Sequence, residues 1–72
     1  MRLENRVREA RNGQGLTQEE LARAVGVTRQ TIIAIEKGGY EPSVRLALAL
    51  ASSLAASVGD LFWLAQEKGG EI

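Results

Sequence analysis

The sequence predicts an all-α fold, a compact bundle of five short helices forming one domain. Three observations carry that reading. Apolar residues recur at helical spacing in Leu21-Ala22-Val25, Ile32-Ile35 and Leu46-Leu50-Leu54. Hydroxyl side chains stand immediately before these runs, as Thr17, Thr28 and Ser43 do, and glycines follow two of them, as Gly26 and Gly38 do. The predicted domain spans residues 1–65, with residues 66–72 left as a flexible tail. A second domain has no room in 72 residues, and so small a core gains from dimerisation or very regular helix packing.

The first helix is expected from Leu3 to Asn12, with Leu3, Val7 and Ala10 inward, and Gly13-Gln14-Gly15 ends it. The second starts at Gln18: Thr17 and Glu20 have the spacing of a capping box, and Gly26 follows where a left-handed residue would close the helix. Val27 plugs the turn and Thr28 caps a third helix that runs to Gly38. Gly39-Tyr40-Glu41-Pro42-Ser43 is a loop, with Tyr40 read as an anchor on the scaffold. In the fourth helix Leu46, Ala47, Leu50, Ala51 and Leu54 make the inward stripe, and Leu48 falls off it. Val58 to Phe62 form a short fifth helix in which Gly59 sits poorly, and Trp63-Leu64 follow.

Two short helices separated by three or four residues containing a glycine outline a DNA-binding helix-turn-helix, whose second helix lies in the major groove. At about 100° per residue, Ile32, Ile35, Thr28 and Glu36 share one arc of the third helix, while Gln30, Ile33, Ala34 and Lys37 share the other, which Arg29 opens. The guanidinium of Arg29 suits guanine O6 and N7, and the amide of Gln30 suits adenine N6 and N7. Ile33 and Ala34, one turn on, can reach thymine methyls. These four are the candidate base-reading residues. Glu36 borders the core arc, and a carboxylate there needs a partner.

The Leu16-Thr17-Gln18-Glu19-Glu20-Leu21-Ala22 run, the Val25-Gly26-Val27-Thr28-Arg29-Gln30-Thr31-Ile32 run, Ile35-Glu36-Lys37-Gly38, Tyr40-Glu41-Pro42-Ser43 and Asp60-Leu61-Phe62 together resemble the Cro/CI-type (XRE, lambda-repressor-like) helix-turn-helix regulators. The resemblance covers nearly the whole chain in family order. It implies a lambda-repressor-like DNA-binding domain, with a short terminal β-ribbon, formed by part of Gln66–Ile72 against Met1–Leu3, as a variant that the sequence leaves open. It also implies an ion pair between Arg11 and Glu36, and contacts to the DNA backbone from Thr17 and Gln18. With Thr28, Thr31, Lys37 and Gly39 these make the candidate phosphate contacts, in keeping with the preference of phosphates for helix N-termini. Similar sequences carry a larger aliphatic residue at the position of Ala10, a small polar residue at that of Ile33, Lys or Arg at that of Gly39, and Gly at that of Ala55.

Nine Lys and Arg balance nine Asp and Glu, which argues against a non-specific polycation. The distribution is uneven. Through Arg45 there are eight basic and six acidic residues, while beyond it Lys68 alone opposes Asp60, Glu67 and Glu71. Without Cys or His, disulfides and the usual zinc sites are not expected, nor is a metal or other cofactor. The same lack removes the common nucleophile and base pairs, so no catalysis is expected. Charges at Glu4, Arg6, Arg8 and Glu9 interrupt any signal-like apolar stretch, which leads to an expectation of a cytoplasmic protein without a membrane span.

The expected function is therefore sequence-specific binding of double-stranded DNA by a transcriptional regulator, read as a repressor acting on a palindromic operator. Leu48, Trp63 and Leu64 are apolar residues left over after the core is filled, and they are the expected homodimer interface. Two alternatives stay open: an antitoxin-like or partner-binding module, and the DNA-binding head of a larger ligand-responsive regulator.

Overall fold

The computed structural model describes residues 1–66 and contains five helices and one two-stranded ribbon. In chain order these are β1 (Arg2–Asn5), α1 (Val7–Gly13), α2 (Gln18–Val25), α3 (Arg29–Glu36), α4 (Val44–Ser53), α5 (Val58–Leu61) and β2 (Phe62–Ala65). The tail expected over residues 66–72 lies, apart from Gln66, outside the described residues.

The core draws on every helix. Val7 from α1, Leu21 and Ala22 from α2, Ile32 and Ile35 from α3, and Leu46, Leu50 and Ala51 from α4 are buried together with Leu54, Leu61 and Phe62. The inward stripe of α4 is the one its spacing predicts, and Leu48 stands 56% exposed on the far side. Caps set the helix starts. Ser43 accepts the Leu46 N–H and Ser57 accepts the Asp60 N–H, so α4 and α5 each begin one residue after a serine.

The first helix is shorter than its spacing predicts, because Leu3 belongs to β1. The side chain of Asn5 decides the boundary: its Oδ1 accepts the Val7 N–H at 3.0 Å, an Asx turn that ends the strand and opens α1. The periodicity misled because Leu3, in a strand, packs against the same core that a helical Leu3 would meet. Likewise α5 stops at Leu61, and Phe62, with extended backbone, opens β2.

The ribbon is antiparallel, with Leu3 opposite Leu64, Glu4 opposite Trp63 and Asn5 opposite Phe62. Side chains alternate across a strand, so Phe62 and Leu64 share the face of Leu3, with Phe62 buried and Leu64 lying past the edge of the core, while Trp63 lies on the opposite face beside Glu4. The guanidinium of Arg6 covers the Trp63 ring at 5.0 Å. Among the described residues no helix is long and apolar enough to cross a membrane.

Candidate DNA interface

The start of α2 is fixed by the predicted capping box. Thr17 Oγ1 accepts the Glu20 N–H at 3.0 Å, and Glu20 Oε1 accepts the Thr17 N–H at 2.8 Å. At the other end Gly26 adopts φ 78°, which glycine tolerates without strain, and the Val27 N–H bonds the Ala22 carbonyl at 3.0 Å. The chain reverses there and Val27 packs on the core. Thr28 Oγ1 accepts the Thr31 N–H and lies 3.2 Å from the Thr31 hydroxyl, so α3 leaves the turn already capped.

Ile32 and Ile35, both fully buried, set the rotation of α3 about its axis. That rotation turns Arg29 and Gln30 outward, and neither side chain has a hydrogen bond or ion pair among the described residues. Ile33 and Ala34 are half-buried at the edge of the same face. The opening turn of α3 thus presents two polar side chains with nothing to satisfy them but solvent or a ligand.

The far end of α3 is held tightly. The Glu36 side chain is 1% exposed and accepts from Arg11 Nε at 2.7 Å and Arg11 Nη2 at 3.3 Å. It also accepts from Gln18 Nε2 at 3.1 Å, and Arg8 Nε lies 3.6 Å away. Arg11 Nη1 reaches on to the Leu16 carbonyl at 2.8 Å. Burial by itself would push the Glu36 carboxyl upward. The hydrogen bonds from Arg11 and Gln18 and the positive charges of Arg11 and Arg8 outweigh it and hold the carboxyl below the usual glutamate value. One residue earlier, Asn5 Nδ2 donates to the Ile35 carbonyl at 2.9 Å, so the ribbon also grips the end of α3.

Thr17, Thr28 and Lys37 are exposed and Thr31 is half-buried, all on α2, α3 or their caps. Two other candidate phosphate contacts are engaged elsewhere. One amide N–H of Gln18 is given to Glu36. Gly39, whose only donor is its backbone N–H, bonds the Ala34 carbonyl at 3.0 Å, which leaves it no free donor for a phosphate. Periodicity puts Glu36 at the core border but cannot pair it with Gln18, since the pairing depends on how α2 crosses α3. Asn5 is also outside what spacing reveals; its only signal is the Asx-turn propensity of Asn ahead of an apolar run.

The helix-turn-helix family matches residues 7–61, from the first residue of α1 to the last of α5. The chain is 48% identical over 65 residues to the uncharacterized HTH-type transcriptional regulator YgzD of Bacillus subtilis, a match spanning 90% of this chain and 98% of that protein. It is 55% identical over 62 residues to an uncharacterized HTH-type transcriptional regulator of Methanothermobacter thermautotrophicus, spanning 85% of this chain and 90% of that one. Among solved structures, the restriction-modification controller protein C.AhdI from Aeromonas hydrophila superposes with a TM-score of 0.70 at 33% identity, over 75% of this chain and 82% of that chain. The clp gene regulator ClgR from Corynebacterium glutamicum gives a TM-score of 0.71 at 35% identity, over 75% of this chain but only 57% of that longer one. With the fold, the capped turn and these relatives in agreement, the chain belongs to the Cro/CI-type (XRE) family of helix-turn-helix DNA-binding transcriptional regulators.

Proposed function

We propose that this protein is a transcriptional repressor that binds a palindromic operator as a homodimer, with α3 of each copy in the major groove. The observation that carries the reading is the asymmetry of α3. Its last turn is fixed by Arg11, Gln18 and Asn5, while its first turn exposes Arg29 and Gln30 without partners among the described residues. A helix anchored at one end and bare at the other is suited to carrying donors and acceptors to base edges in a fixed register. The relatives named for gene control, C.AhdI and ClgR, support the regulatory role. Thr17, Thr28, Thr31 and Lys37 are the proposed phosphate contacts, with the second N–H of Gln18. Ile33 and Ala34 are the proposed apolar contacts to thymine methyls.

Selection from random duplex DNA tests this, followed by affinity measurements on the recovered site. Arg29→Ala and Gln30→Ala should each weaken binding to that site by roughly 1 to 3 kcal/mol and relax selectivity at one or two base pairs per half-site. Equal weakening on the selected and a scrambled duplex would move both residues to the DNA backbone, and recovery of no consensus at all would overturn sequence-specific binding.

A further inference from the structure

We propose that Arg8, on α1, is a further contact to the DNA phosphate backbone, outside the helix-turn-helix itself. The proposal rests on the reading of α3 as the major-groove helix and extends that surface to a third helix.

The argument starts from the charge balance around Glu36. This carboxylate carries one negative charge, and Arg11 matches it with two N–H bonds while remaining only 12% exposed itself. Gln18 adds a neutral donor to Oε1. Arg8 is therefore a second cation around an anion already neutralised, and it leaves the cluster with a net positive charge. Its nearest approach is Nε to Oε1 at 3.6 Å, beyond hydrogen-bond distance, and its side chain is 57% exposed. No hydrogen bond among the described residues uses it, so the guanidinium fork is free.

Other cations are engaged differently. Arg2 meets Glu4 at 2.8 Å, Arg23 meets Glu19 at 3.7 Å, and Arg6 lies over Trp63. Apart from Glu36, the acids nearest Arg8 in sequence do not neutralise it: Glu9 forms no ion pair among the described residues, and Glu4 is paired with Arg2. Position then selects the ligand. Arg8 and Gln18 approach the same oxygen of Glu36, which places the free guanidinium beside the start of α2, next to residues proposed to meet the DNA backbone. A planar fork carrying full charge is matched to the two non-bridging oxygens of a phosphodiester.

The test is the salt dependence of binding by the full chain, on the selected duplex and on a scrambled one. Parent, Arg8→Gln, Arg8→Lys and Arg23→Gln are compared, the last as a surface cation lying outside the proposed contacts. A lost phosphate contact lowers the steepness of log affinity against log salt by about 0.9 per chain. We expect that change for Arg8→Gln on both duplexes alike, since phosphates carry no sequence, and substantial recovery in Arg8→Lys. A slope for Arg8→Gln equal to that for Arg23→Gln overturns the proposal, as does failure of lysine to restore it. Circular dichroism must show the parent fold in each variant, and loss of fold in Arg8→Gln would assign the residue to the scaffold instead. If the parent binds no duplex, the α3 reading falls as well; if the parent binds and Arg8→Gln matches the control, Arg8 alone is removed.

Discussion

Ala55 links α4 to α5 in a left-handed backbone conformation, with φ 54°, and among the described residues it is the only non-glycine with positive φ. A Cβ in that region costs roughly 1 to 2 kcal/mol, part of which glycine would give back as extra freedom in the unfolded chain. Ala55→Gly should therefore stabilise the domain by about 0.5 to 1 kcal/mol, read as a higher midpoint in urea with an unchanged slope. The sequence exposes this site only by comparison, through the glycine that similar chains carry there; nothing in local spacing marks an alanine as left-handed. Arg29 and Gln30 are different, because their exposure follows directly from the burial of Ile32 and Ile35 on the same helix. Gly39 shows the opposite limit. It is a candidate phosphate contact by sequence, yet closing the end of α3 takes its backbone donor.

At the level of elements, the cluster on Glu36 joins α1, α2 and α3 through side chains rather than through apolar packing alone. Removing Arg11 leaves a carboxylate that is 1% exposed with one hydrogen bond from Gln18 and the unbonded guanidinium of Arg8 at 3.6 Å, so Arg11→Ala should destabilise by about 3 kcal/mol. A double-mutant cycle with Glu36→Gln should show strong coupling, and additive effects would remove the pair as a structural tie. The pH dependence has a defined sign. Because the folded-state pKa of Glu36 is lowered, its contribution is present above the ordinary glutamate range and is lost as pH falls through the lowered value. The stability difference between parent and Glu36→Gln should accordingly shrink on acidification over that window. Helices α2, α3 and α4 were legible because caps and apolar spacing agree there. The strand at Arg2–Asn5 was not, because a four-residue strand followed at once by a helix can imitate one longer helix when both bury the same side.

For the molecule as a whole, the exposed apolar residues bear on assembly. Leu48, Trp63 and Leu64 are 56%, 38% and 63% exposed, and one α3 can read only a few base pairs. Sequence alone suggested a single patch, but the ribbon register puts Trp63 and Leu64 on opposite faces, so one flat two-fold contact cannot bury both. We expect the parent to sediment as a dimer at micromolar concentration and Leu48→Glu as a monomer. Of Trp63→Ala and Leu64→Glu, the one on the contacting face should dissociate the dimer and the other should not. A parent that stays monomeric, free and on a palindromic duplex, would exclude the dimer.

The ribbon has a further consequence, in time rather than in space. Its pairs join residues as distant along the chain as Leu3 and Leu64, whereas α2 and α3 meet across a turn of a few residues. Closing so long a loop carries a larger entropy cost than closing that turn. We expect the order of assembly to be biased accordingly, with the helical pair organising early and the ribbon late, and native-state hydrogen exchange checks it by comparing the ribbon amides with those of α2 and α3.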